Sequence, residues 1–197
     1  HHSPPYHAAS APREPLSSRP RLEYHPAAAR RRPPSMPTLI PRDEALRRII
    51  AEAGRPDCLM CAILERRVGP VYVVHEDEHT VVMLPRYVRR WGHVMVIPRE
   101  HVVTFSGVDP EVWARVTRTA HLAARMVERA SQPLRCYLAS VGSSAGELPQ
   151  TSRHLHMHVI PLFAADDRPA DVFSWAEGVL VGEPHEWEEL QRRYRAA

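Results

Sequence analysis

The stretch His154-Leu155-His156-Met157-His158-Val159-Ile160 sets three imidazoles at every second residue. Histidine titrates near neutrality, serves as nucleophile or proton carrier, and ligates metals through either ring nitrogen. Read as a strand, with side chains alternating at period two, His154, His156, His158 and Ile160 share one face and Leu155, Met157 and Val159 the other. Read as a helix, at about 100° per residue, the imidazoles would spread and the apolar residues scatter. Only the strand separates chemistry from core, and Pro161 is expected to end it. A second reactive pair is Cys58-Leu59-Met60-Cys61, two thiols at a spacing that suits zinc if two more ligands converge. The same spacing fits two buried thiols, or a thioredoxin-like redox pair, although no βαβ pattern supports the last. Cys136 stands apart, and three cysteines in 197 residues argue against a disulfide framework.

These residues need a scaffold, and the composition allows one. A chain of 197 residues with 44% hydrophobic and 25% charged residues is an ordinary globular protein with room for one core. No run of about 18 apolar residues exists, so no membrane span is expected. No apolar h-region stands near the N-terminus, so no secretion signal is expected and a cytoplasmic location is. All 26 basic residues are arginine. Residues 1–41 carry six Arg and two Glu (+4), and residues 42–197 carry twenty Arg and twenty-one acids (−1). The basic pI therefore belongs to the tail, and nucleic acid is not an expected partner of the domain.

Residues 1–41 hold ten of the twenty prolines and almost no large aliphatics, which predicts a disordered tail. Its opening His1-His2 reads as the remnant of a purification tag and Met36 as a start codon. Arg30-Arg31-Arg32 reads as part of a solvated tail. From Asp43 the spacing of Ala45, Leu46, Ile49, Ile50 and Ala53 predicts a helix closed by Gly54. A turn and short helix are expected around Cys58–Leu64. Strands are expected at Val71–His75, Thr80–Leu84, Gly92–Ile97 and Leu134–Val141, with the histidine strand as the fifth. Asp109 and Pro110 open a long helix with Val112, Val116, Ala120, Ala123 and Val127 on one stripe. Gly142–Pro149 is a Gly/Ser-rich loop, and residues 166–197 are a C-terminal extension ending in a helix over Glu186–Tyr194.

Five strands without strand–helix alternation predict an α+β fold: an antiparallel five-stranded sheet with the long helix packed on one face. That helix would meet Leu155, Met157 and Val159, leaving the histidine face open for a ligand. The catalytic domain is expected over residues 42–165.

The chain resembles the histidine-triad (HIT) superfamily of nucleotide hydrolases and transferases, in its zinc-containing bacterial-type branch, over roughly residues 57–163. The matching pieces run in the family's order: Cys58-x-x-Cys61, Glu76-Asp77-Glu78-His79, Gly92-His93-Val94-Met95-Val96-Ile97-Pro98-Arg99-Glu100-His101, and Gln150-Thr151-Ser152-Arg153-His154-Leu155-His156-Met157-His158. The resemblance implies a homodimer joined through the sheets. It implies attack by His156 on a nucleotide α-phosphorus, giving a covalent nucleotidyl-histidine that water or another acceptor resolves. His158 would bind phosphate or assist proton transfer. Gln150, Thr151, His93 and Ser140 would contact the substrate. A structural zinc would be held by Cys58, Cys61, His101 and His154.

Two departures concern the nucleoside. Pro85 stands where the family commonly has an Asp or Asn for the ribose hydroxyls, and Ser140 where an Asn is frequent. Pro149 replaces a usual Gly, and the loop before Gln150 is long. Arg86, Tyr87, Arg89 and Arg90 near the altered position suit either phosphate recognition or a solvated basic turn. The expected activity is hydrolysis of phosphoanhydride or phosphoramidate nucleotides. Nucleotidyl transfer or phosphorolysis, and a weakly active nucleotide-binding module, are the alternatives.

Overall fold

The computed structural model describes residues 37–53, 58–140 and 152–197. The elements run β1 (Thr38–Ile40), α1 (Arg42–Ala53), α2 (Leu59–Leu64), β2 (Tyr72–Glu76), β3 (Thr80–Leu84), β4 (Val94–Pro98), α3 (Pro110–Ser131), β5 (Arg135–Ala139), β6 (Met157–Leu162), α4 (Pro169–Ser174), β7 (Val179–Val181) and α5 (Pro184–Arg195). A five-stranded antiparallel sheet of order β2-β3-β4-β6-β5 carries the fold, and β1 pairs with β7 in a separate two-stranded sheet. This is the α+β architecture expected from the sequence.

The β-rich runs bury both faces. All five residues of β3 and of β4 are buried. On one face Val82, Leu84, Val94, Val96 and Val159 pack with Val116, Ala120, Ala123, Ala124 and Val127 of α3. Burying each such valine is worth about 1.5–3 kcal/mol. The helix starts where Asp109 accepts hydrogen bonds from the Glu111 and Val112 N–H groups, with Pro110 in its first turn. It stops at Gln132, whose φ of 48° turns the chain out of the helix. On the other face Val73, Val81, Met83, Met95 and Ile97 pack with Cys58 and Met60, so α2 covers part of the side that carries the histidines. That side is therefore not simply open.

Three further boundaries differ from expectation. The ladder of β6 begins at Met157, so His154 and His156 precede it. There the chain is held elsewhere, because the Leu155 N–H donates to the Val102 carbonyl (2.7 Å). Pro161 does not end the strand. Pairing of β4 with β6 stops at Val94 and Val159, so a residue without an N–H is tolerated at 161, where it pairs with Cys136. The proline-rich segment was expected to extend to residue 41, but Thr38–Ile40 form β1, with Ile40 buried.

The C-terminal residues are built into the core. Trp187, Leu190 and Tyr194, at helical spacing on α5, are each 3% exposed or less and join the α3 cluster. A capping box of Glu183 and Glu186 starts that helix. Among the described residues no helix is long and apolar enough to cross a membrane.

Candidate active site and metal centre

The strands place the imidazoles in two linked groups. Met95 of β4 lies opposite His158 of β6, and β4 is preceded by His93, two residues before Met95 and so on the same face. His93 Nε2 and His158 Nδ1 are 3.0 Å apart. The His158 and His156 rings meet edge to face at 4.7 Å between centroids. His93 and His156 are buried, at 7% and 5% exposure.

Each ring's proton can be placed from its partner. His156 Nδ1 lies 2.7 Å from the His154 carbonyl, which can only accept. His156 Nδ1 therefore carries the proton and Nε2 presents a bare lone pair. His154 Nε2 lies 2.8 Å from the Pro98 carbonyl, so His154 Nδ1 is the unprotonated nitrogen. In the His93–His158 pair one nitrogen must donate. His93 Nδ1 is buried without a partner among the described residues. An unpaired buried N–H costs more than an unpaired acceptor, so the proton sits on His93 Nε2 and is donated to His158 Nδ1. His158 then keeps a proton on Nε2.

Burial holds these rings neutral. It pulls His93 down to about 3, with the neighbouring His156 adding to the effect. His158 falls well below its usual value, through burial first and then through His93 and His156. His156 is lowered by burial against the opposing pull of the His154 carbonyl. A neutral imidazole is the nucleophilic form.

His154 faces away, toward the cysteines. Its Nδ1 is 3.7 Å from Cys58 Sγ and 3.5 Å from Cys61 Sγ, and His101 Nδ1 is 3.2 Å from Cys61 Sγ. The four donor atoms all lie within 4.8 Å of one another. Two sulfurs and two imidazole nitrogens at this separation fit a metal ion in a tetrahedral shell, with the bound nitrogen of His154 already deprotonated by its Pro98 hydrogen bond. Without a cation, burial and the neighbouring Cys58 thiol push the Cys61 thiol up to about 11.

Ser140 follows Ala139, which pairs with His158, and its hydroxyl is buried without a partner among the described residues. Gln150 and Thr151 lie outside the described residues. The basic turn has internal partners instead of free charges. Arg86 and Tyr87 both bind Glu52 of α1. Arg89 is bound to the Asp171 and Gly178 carbonyls and to Glu177, and Arg90 to Asp167. A backbone carbonyl is an expected partner for the protonated ring nitrogen of His156, and the structure identifies the carbonyls as those of His154 for His156 and Pro98 for His154. A carbonyl's role carries no residue signature, so which carbonyl serves is not legible in the sequence.

A family model described as the HIT domain matches residues 66–165. A 16.1 kDa HIT-like protein of Mycoplasma pneumoniae is 33% identical over 108 residues, covering 54% of this chain and 72% of its own. A HIT-like protein of Mycobacterium tuberculosis is 26% identical over 140 residues, covering 71% and 92%. Among solved structures, a histidine triad nucleotide-binding protein of Sulfolobus tokodaii aligns with a TM-score of 0.57 at 28% identity, over 71% of this chain and 90% of that one. A Zn-bound histidine triad family protein of Mycobacterium smegmatis aligns at 0.56 and 27% identity, over 71% and 91%. With the family model spanning the strands and histidines just described, from residue 66 to residue 165, the chain belongs to the HIT domain family.

Proposed function

We propose that the chain is a nucleotide hydrolase that cleaves phosphoanhydride or phosphoramidate bonds at the α-phosphorus through a nucleotidyl-histidine on His156. The observation that carries this reading is the 2.7 Å hydrogen bond from His156 Nδ1 to the His154 carbonyl, which fixes a bare Nε2. The Nε2 lone pair forms a bond to phosphorus while the bond to the leaving group breaks. The leaving group departs with that electron pair, its developing charge stabilised by a hydrogen bond from His158 Nε2–H, and takes a proton from solvent. Water then bonds to phosphorus through its oxygen as the phosphorus–Nε2 bond breaks and returns its electron pair to His156, and the proton water loses goes to solvent, releasing a nucleoside monophosphate and free His156. Gln150, Thr151 and Ser140 would donate hydrogen bonds to substrate oxygens, and His93 would fix the His158 ring.

Cys58, Cys61, His101 and His154 would hold zinc as a closed structural site. The ion would tie the α2 segment to the histidine segment and leave no coordination position for substrate. The zinc-bound relative from Mycobacterium smegmatis supports that choice of metal. A homodimer and a cytoplasmic location complete the proposal. A binding module with negligible turnover is the second reading. It is favoured by Pro85 at the ribose position and by a neighbouring basic turn whose side chains already have partners.

Intact-protein mass spectrometry of His158→Ala after brief incubation with nucleotide phosphoramidates and dinucleoside polyphosphates tests the proposal. A mass gain of one nucleoside monophosphate, absent in His156→Ala, is expected. No adduct together with no product from the wild-type protein would replace the hydrolase with the binding module.

A further inference from the structure

His93 enters β4 through the turn of residues 88–92, and every residue of that turn is gripped by chain beyond residue 165, where the HIT match ends. Val88 exchanges both backbone hydrogen bonds with Leu180 (3.1 and 2.7 Å). Arg89, with a side chain only 4% exposed, donates to the Asp171 carbonyl, the Gly178 carbonyl (2.6 Å) and the Glu177 carboxylate (2.8 Å). Arg90 pairs with Asp167. Trp91 packs on Trp187 with ring centroids 4.2 Å apart. The Gly92 carbonyl accepts the Tyr194 hydroxyl proton (2.8 Å).

The last contact holds the residue next to His93. His93 N–H closes a turn onto the Arg90 carbonyl, with Gly92 at φ 94° in the third position, a region that glycine adopts without strain. A side chain at 92 would strike the Tyr194 hydroxyl. Tyr194 is itself fixed from α3, because Ser131 Oγ lies 3.1 Å from its hydroxyl and accepts from Arg193 (3.2 Å). The hydroxyls can thus run as one donor chain, from Arg193 through Ser131 and Tyr194 to Gly92.

We infer that the C-terminal segment 167–194 is a clamp that positions His93, and through it the His158 ring, with Tyr194 as a positioning residue for the site. The inference rests on His93 and His158 belonging to that site, as proposed above. A small rotation at Gly92 swings His93 Nε2 out of the 3.0 Å contact and frees the His158 ring to turn. A domain cut at residue 165 would carry the histidines and lack the clamp.

The test uses the full chain and reads the rings directly. Imidazole ¹⁵N resonances of His93 and His158 are recorded by NMR in the wild type, in Tyr194→Phe and in Arg90→Gln, with Val116→Ala, buried on α3 fifteen residues before Ser131, as a destabilised control. Tyr194→Phe keeps the packed ring and deletes only the donor. Shifted or broadened His93 and His158 signals in both clamp variants, and unshifted ones in the control, are expected. With a substrate in hand, kcat should fall about tenfold in Tyr194→Phe while KM changes little. If Tyr194→Phe does not fold, Arg90→Gln decides alone. Ring signals that match the wild type in the folded clamp variants would overturn the inference, even if melting temperature falls. A wild-type protein with no turnover would sink the hydrolase reading, and the ring signals would still decide the clamp.

Discussion

His93 Nε2 donates its proton to His158 Nδ1 across 3.0 Å, a bond from a buried ring just before β4 to a half-buried ring on β6. Removing the donor leaves His158 free to take the other tautomer, with no proton on Nε2. We expect His93→Ala to lower kcat by about 10–100-fold, as a misplaced catalytic group does, with a smaller change in KM. Steady-state kinetics on a phosphoramidate nucleotide checks this, and an unchanged kcat would remove His93 from the site.

The same pair makes stability depend on pH. His93 titrates near 6.5 when unfolded and at about 3 when folded, chiefly because of burial. A depressed folded value means that the unfolded chain binds the proton first. The stability is complete above about pH 6.5 and is lost as pH falls toward 3. At pH 5 the loss for this one ring is about 2 kcal/mol. Urea midpoints measured at pH 5 and pH 7.5 should differ more for the wild type than for His93→Asn. Equal differences would show that the ring is not held neutral.

The metal centre predicts proton release. The Cys61 thiol sits at about 11 without a cation, so at neutral pH binding zinc must displace its proton. Titrating apoprotein with zinc in weak buffer should acidify the solution, and affinity should rise with pH. Metal analysis should find one zinc per chain, and chelation or Cys61→Ser should lower the melting temperature. Chelation without effect on melting would mean that the four donors are a thiol–imidazole cluster only.

Trp187 is 2% exposed and stacks between Tyr72 at 6.0 Å and Trp91 at 4.2 Å. We expect Trp187→Ala to cost about 3–5 kcal/mol, the usual result of emptying a large buried site. Chemical denaturation measures it directly. A loss below about 1 kcal/mol would show that α5 is not part of the cooperative core.

Much of this arrangement is legible in the sequence because period and chemistry agree there. The alternation from His154 to Val159 separates imidazoles from core, and Val116, Ala120, Ala123 and Val127 mark the buried stripe of α3. Three things are not legible. Where β6 starts depends on Val102 taking the Leu155 N–H, a contact between distant segments. Arg86, Arg89 and Arg90 look like free charges in a sequence, and their partners lie far away, at Glu52, Glu177 and Asp167. Thr38–Ile40 are three residues beside prolines, too short for a period, and form a strand only because Val179–Val181 supplies the other half of the ladder.

That last pairing has a consequence for the order of assembly. Thr38 lies opposite Val181, so β1 leaves the ribosome long before its partner exists. The contacts of the central sheet close across shorter stretches of chain, and the β1–β7 ladder must wait until residue 181 has emerged. Closing so long a loop makes it a slow, late contact. During synthesis, the segment that follows the prolines emerges well before the ladder that holds it can form.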